Sequence, residues 1–367
     1  MQKNTTKADS KEKKKKIELT REFVHSLPKA ELHCHLDGSM RVETIIDLAK
    51  KQNVKLPKTD PKELENYLVA GPWCKSLVDY LKPFDVTCSV LQTKDALRRA
   101  TYELGEDCAA ENIRYLEIRF SPILHIDQGL KLTEVIEAVI EGKRQAEKDF
   151  NIVIGIVICG LRHFSPQTTL TLAELCVAYK NSGVVGFDLA GAEVNFPAKD
   201  HKDAFYLIIN NNINTTAHAG EASGPESIHQ ALHYIKANRI GHGTRLRENG
   251  DLLNYVNDHR IPLEMCLTSN VQTKSVKSFE NHPLKFYFDY GIRVTLNTDN
   301  RLISGVNLTD EYMIAIEKYH FTPDELKYLI LNGFKSGFLP LKQKVDLITK
   351  ATKEMEDKGL IIRRDYI

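Results

Sequence analysis

The sequence predicts an α/β protein, a (β/α)8 barrel of the TIM type with extra helices and a long insertion after the first strand. Three observations carry that reading. Eight short apolar runs rich in β-branched residues recur along the 367 residues. Longer stretches with helical periodicity separate them, and strands alternating with helices imply βαβ units and a parallel sheet. Several of the runs are apolar almost throughout, as strands buried on both faces are.

The first run is KAELHCHL (29–36), and the longest connection of the chain, 37–112, follows it. That connection holds helical patterns at 41–51, 75–91 and 93–111 and carries Trp73, Leu77, Leu81 and Phe84. An insertion at this point lies over the C-terminal mouth of a barrel, as a lid or apolar gate or as a packing subdomain. The second run, IRYLEIRFSP (113–122), leads to a helical pattern at 131–149, and the third, IVIGIVICG (152–160), to one at 167–182. VVGFDLAG (184–191) and INTTAHAGE (213–221) are the fourth and fifth, the latter followed by a helical pattern at 225–237. RIGHGTRL (239–246), a helix at 248–259, IPLEMCLTSN (261–270) and RVTLNTDN (293–300) complete the set, and residues beyond Leu308 supply the extra helices. Residues 1–18, with KEKKKK at 11–16, have the composition of a disordered basic tail. The remaining residues, 19–367, are expected to form one barrel domain.

Fifty Lys+Arg against 49 Asp+Glu give no global pull toward nucleic acid or anionic lipid. No stretch approaches the roughly 18 apolar residues of a membrane span, and no apolar leader follows the N-terminal charges. Seven cysteines, an odd and scattered set without a CxxC pair, read as reduced thiols in a cytoplasmic protein. The sequons at Asn4, Asn214 and Asn307 are read as chance matches.

Polar residues fall at the strand ends. Residues two apart on a strand face the same side, so His33 and His35 project together and Cys34 points the other way, into packing. His218 and Glu221 close the fifth run, His242 the sixth and Asp299 the eighth. Active sites of this architecture gather at the C-terminal ends of the strands. A buried imidazole pair needs partners or a metal, and three neutral nitrogens plus one carboxylate suit Zn²⁺ or a similar divalent ion with a position left for water. His163, after the third run, is expected at the surface or behind the site.

At these residues the sequence resembles the adenosine deaminase family of the metal-dependent amidohydrolases. The stretches that carry the resemblance are HCHLDGS, GFDLAGAE, HAGE, RIGHGTRL, LEMCLTSN and LNTDN, over roughly residues 28–350. The resemblance implies zinc-dependent hydrolytic deamination of adenosine and 2′-deoxyadenosine in purine salvage, with one Zn²⁺ held by His33, His35, His218 and Asp299. It implies Glu221 as the acid that protonates purine N1, and His242 as the residue that orients and stabilises the attacking hydroxide. Gly191 would offer its N–H to purine N3, and Asp37 would meet the ribose 5′-hydroxyl.

The chemistry agrees with these roles. A metal lowers the pKa of a bound water from 15.7 to about 7, Asp299 can ligate it and also take the water's proton, and a carboxyl group in a closed apolar pocket stays protonated to activate the ring. Asp299-Asn300 departs from the commoner Asp-Asp. An asparagine amide donates to N7 without needing a proton, so Asn300 is expected to keep that contact. The partner is then a small-molecule purine nucleoside, with no nucleic acid and no membrane, and the chain is expected to be a monomer. Deamination of free adenine or N6-methyl-AMP is the nearest rival; relatives of that kind tend to carry Glu or Asn where this chain has Asp37, and a carboxylate there repels the 5′-phosphate of the nucleotide. A catalytically inactive binding barrel is the reading from another class.

Overall fold

The computed structural model describes residues 17–361; of the basic tail expected at 1–18, residues 1–16 lie outside them. The strands are β1 (Lys29–His35), β2 (Ile113–Phe120), β3 (Val153–Leu161), β4 (Val184–Ala190), β5 (Asn214–Ala219), β6 (Arg239–His242), β7 (Leu263–Met265) and β8 (Val294–Leu296). They pair in that order, every pair parallel. Between β8 and β1 the ring is closed by a bridge at Cys34 and Asp299. The His35 N–H donates to the Asp299 carbonyl (2.8 Å) and the Asp299 N–H to the His33 carbonyl (2.9 Å). The seam that closes the barrel is therefore built from three of the four residues expected to hold a metal.

Two segments differ from the sequence reading. The run 261–270 stops as a strand at Met265 and becomes the helix Leu267–Gln272. The carboxylate of Glu311 accepts the N–H groups of Leu267 (2.6 Å) and Thr268 (3.1 Å), satisfying donors that a helix start leaves free. That partner lies far along the chain, so local pattern does not reveal it. The pattern at 75–91 splits into Leu77–Tyr80 and Phe84–Val90 around Pro83, which has no N–H to continue a helix. A further helix, Pro61–Leu68, starts on an Asp60 cap with Pro61 in its first turn.

The strand runs are also less apolar than their composition reads, because the barrel lumen is charged. Glu117, Arg119 and Glu264 are fully buried there and Arg239 nearly so. Buried charge is tolerated when paired and hydrogen-bonded. Arg239 reaches Glu117 and Glu264 at 2.5 Å each, and its guanidinium lies 3.5 Å over the Phe338 ring. The outer faces of the strands pack on the surrounding helices in one large apolar core.

The insertion sits on the mouth. The Ala70 N–H donates to the Ile303 carbonyl (2.7 Å), and Gln272 Nε2 donates to the carbonyls of Ala70 (3.2 Å) and Ser304 (3.0 Å). Those bonds tie it to the segments leaving β7 and β8. Leu77 and Phe84 pack on a small apolar cluster of Ala70, Cys74, Tyr80 and Ile303, and the Phe84 ring stands edge-on to His35. No helix among the described residues is long and apolar enough to cross a membrane.

Candidate metal and catalytic site

His33, His35, His218 and Asp299 converge at the C-terminal mouth, each offering one ligand atom within 4.8 Å of the others. His218 Nε2 stands 3.0 Å from His33 Nε2 and 3.2 Å from His35 Nε2. Asp299 Oδ1 is 3.4 Å from both His33 Nε2 and His35 Nε2. Tetrahedral ligands about 2.0–2.1 Å from an ion stand roughly 3.3–3.4 Å apart, so the spacing fits a metal.

The protons on these rings fit one too. His33 Nδ1 donates to Glu264 Oε2 (2.8 Å) and His218 Nδ1 to Asp188 Oδ2 (3.1 Å). Each bond fixes the proton on Nδ1 and leaves the Nε2 lone pair aimed at the cluster. Two lone pairs facing each other repel unless a positive charge lies between them. Burial, opposed by Asp299 but reinforced by the His218 and His33 rings, keeps His35 well below its ordinary pKa and therefore neutral. Burial works against the Asp299 charge, while any proton carried on the facing nitrogens of His33, His242 or His35 favours it, and the carboxyl is held well below the usual range. Its other oxygen, Oδ2, accepts from Ser269 Oγ at 2.6 Å. One guanidinium braces both carboxylates behind the histidines: Arg119 Nη1 donates to Asp188 Oδ2 (3.2 Å) and Nη2 to Glu264 Oε2 (2.8 Å). Asp188, Glu264, Ser269 and Arg119 carry no role in the sequence reading. The signal available for them was a charged or polar residue inside an otherwise apolar strand run.

Beside the cluster, Glu221 Oε2 lies 3.6 Å from His242 Nε2. Both side chains are buried, and Glu221 Oε1 has no hydrogen-bond partner. Burial, aided by the negative charges of Asp299 and Glu193, pushes the Glu221 carboxyl up to about 8. It is therefore protonated at neutral pH. His242 and Asp299 both hold positive φ, 63° and 62°. Non-glycine residues there carry strain that clusters at functional sites. Sequence reading also passed over Glu193, in the run GFDLAGAE. Its carboxylate accepts the N–H groups of Gly220 (2.6 Å), Glu221 (3.1 Å), Ala222 (2.6 Å) and Ser223 (2.7 Å), pinning the turn that carries Glu221.

The remaining expected residues lie around the mouth. Asp37 is buried, with Oδ1 unpartnered and Oδ2 4.0 Å from His125 Nε2, and burial pushes its carboxyl up to about 6. Cys88, whose Sγ stands 3.8 Å from Asp37 Oδ2, lines a cavity of about 580 Å³ together with Phe84, Gln92, Leu124 and Phe164. Gly191 follows β4 with φ at 88°, and a Cβ there would meet His163 Nδ1 at 3.1 Å. His163 itself is exposed. Asn300 Nδ2 donates to Tyr80 Oη (3.0 Å), which leaves the second amide hydrogen free, and Oδ1 packs where a Cβ on Gly38 would be. Cys34 is buried, packing away from the cluster as expected, with its Sγ 3.4 Å from Ser39 Oγ.

A parallel eight-stranded barrel whose mouth gathers three imidazoles and a carboxylate, with a protonated acid beside them, defines a hydrolase of the metal-dependent amidohydrolase class. Comparison with known proteins narrows the class. The family described as adenosine deaminase matches residues 28–354. A probable adenosine deaminase from Dictyostelium discoideum is 44% identical over 346 residues, covering 93% of this chain but only 45% of that protein. The adenosine deaminase of Clostridium acetobutylicum is 42% identical over 90% of this chain and 98% of its own. Among solved structures, the adenine deaminase of Arthrobacter aurescens superposes with a TM-score of 0.84 at 27% identity, covering 90% of this chain and 99% of its own. The chain belongs to the adenosine deaminase family and is a hydrolytic deaminase.

Proposed function

We propose that this chain catalyses the zinc-dependent hydrolytic deamination of adenosine and 2′-deoxyadenosine to inosine and 2′-deoxyinosine, releasing ammonia. The observation that carries the reading is the pairing of a four-donor cluster with the buried carboxyl of Glu221, one oxygen of which has no partner. Imidazole and carboxylate donors in a tetrahedral set favour Zn²⁺, one per chain, held by His33, His35, His218 and Asp299. When bound, the ion acts as a Lewis acid that brings the pKa of a water to about 7.

The chain's own groups do the rest. Glu221 holds a proton for purine N1, which makes C6 electrophilic. Asp299 takes a proton from the attacking water, and His242 orients that water. The Gly191 N–H meets N3, the free amide hydrogen of Asn300 meets N7, and Asp37 receives the ribose 5′-hydroxyl. An ionised Asp37 at neutral pH repels a 5′-phosphate, which favours the unphosphorylated nucleoside over N6-methyl-AMP. Seven free thiols accord with a cytoplasmic setting.

The test is a substrate panel of adenosine, 2′-deoxyadenosine, adenine, AMP and N6-methyl-AMP, with ammonia release followed. Only the first two are expected to turn over at appreciable rates. Preferred turnover of adenine or N6-methyl-AMP would overturn the substrate assignment. Glu221→Gln, metal-loaded but with near-normal activity, would remove Glu221 from the chemistry.

A further inference from the structure

The ring of His242 faces the site through Nε2, and what that nitrogen offers depends on which of the two ring nitrogens carries the proton. Its other nitrogen is held by groups outside the site. We infer that Asn270 and His282 form a positioning relay that fixes His242 in the tautomer bearing its proton on Nε2. The inference rests on the role proposed above for His242.

The direction of the relay is set by a backbone amide. The helix Leu284–Tyr290 follows Pro283, which has no N–H, so Leu284 supplies the first of the free donors at that helix start. The Leu284 N–H donates to His282 Nδ1 at 3.2 Å. A backbone N–H only donates, so His282 Nδ1 is the acceptor and the proton of this ring sits on Nε2. That Nε2–H donates to Asn270 Oδ1 at 3.1 Å. With its oxygen engaged, Asn270 presents Nδ2 to His242 Nδ1 at 2.9 Å, and an amide nitrogen only donates. His242 Nδ1 is therefore the acceptor, and the ring proton is on Nε2, on the side of Glu221.

The reverse arrangement is excluded step by step. Turning the Asn270 amide over would set its NH₂ against the Nε2–H of His282, and moving the His282 proton to Nδ1 would set it against the Leu284 N–H. Nor can Asn270 swing away. Its N–H donates to the Cys266 carbonyl (2.9 Å), and its carbonyl accepts from the Val276 N–H (2.9 Å) and Ser275 Oγ (3.1 Å). Asn270, His242 and His282 are all buried, so water does not compete for these bonds. The consequence is that His242 meets the attacking water as a hydrogen-bond donor. It supports negative charge on that oxygen and leaves proton acceptance to Asp299.

The relay is tested on the zinc-loaded protein by long-range ¹H–¹⁵N correlation of its histidine rings. Neutral Nε2–H tautomers are expected for both His242 and His282; an Nδ1–H tautomer at His242 overturns the inference. Asn270→Leu is expected to lower kcat for adenosine about 10²-fold with KM within about threefold and zinc content unchanged. His282→Leu, which frees the Asn270 amide to turn, is expected to lose about tenfold in kcat. His282→Gln keeps an N–H for Asn270 Oδ1 and is expected to restore most of the loss. Equal kcat in the Leu and Gln variants at position 282 overturns the relay. If wild type fails to deaminate adenosine, the functional reading falls, while the tautomer spectrum still decides the relay.

Discussion

Replacing Glu193 by Gln perturbs the site without touching a donor of the metal cluster. The carboxylate accepts four backbone N–H groups, one on Oε1 and three on Oε2. A glutamine of the same shape puts an NH₂ where one oxygen was, so at least one N–H then faces another donor. Leaving a buried donor unsatisfied costs roughly 1–3 kcal/mol. The other bonds lose their charge assistance, which about halves them, a further ~0.5–1.5 kcal/mol each. Ala222 and Ser223 are only half-buried, so water offsets part of this. A net loss of about 3 kcal/mol is expected, or roughly a hundredfold in an equilibrium constant. For a chain of this size that lowers Tm by about 4 °C. Because the same turn carries Glu221, kcat should fall with it. Removing the Glu193 charge also lets the Glu221 pKa fall, so the alkaline limb of activity should move to lower pH. Differential scanning calorimetry with a pH–rate profile measures all three. A Glu193→Gln protein with wild-type Tm, kcat and alkaline limb would show that the carboxylate does not hold the turn.

Other expectations follow from the same geometry. In the role proposed for it Glu221 acts when protonated, so activity should be full below its folded pKa and decline as pH rises through it. That pKa is about 8 before a cation on Asp299 offsets part of the negative charge that raises it, so the limb should fall at or below pH 8. A flat pH–kcat profile to pH 10 would contradict the acid role. His33→Ala removes one Nε2 from the cluster and should lose metal and activity together; elemental analysis showing a metal-replete, active variant would break the ligand assignment. Asp37→Ala should raise KM for adenosine about 10–100-fold, the worth of one hydrogen bond to a charged group, and leave KM for 5′-deoxyadenosine unchanged. An equal effect on both nucleosides would move Asp37 away from the 5′-hydroxyl.

Much of this site was legible because a barrel strand ends where its catalytic side chains begin. His33, His35, His218, Glu221, His242 and Asp299 sit at the ends of apolar runs, and parallel strands with short period-2 geometry bring all such ends to one mouth. The residues behind them were not. Glu264 and Asp188 read as interruptions of a strand, Asn270 as the last residue of the seventh run and His282 as a residue outside every run, neither with a role. Glu193 lies two residues past Gly191 in its own motif. Each acts through a partner 12 to 231 positions away in the chain, and no local period encodes such a pairing. The seven thiols and balanced charge narrowed the chemistry only by exclusion.

The sequence by itself determined the alternation of strands and helices, the order of the eight strands and the identity of the groups at their ends. Hydrophobic periodicity is a local property of the chain, so it can be read there. Only the tertiary structure decided where the strand run at 261–270 turns into helix, which carboxylates orient the two histidines, and which nitrogen of His242 carries its proton. Those outcomes depend on hydrogen bonds between residues that folding alone brings together, and a buried donor or acceptor takes whatever partner the closed barrel leaves within reach.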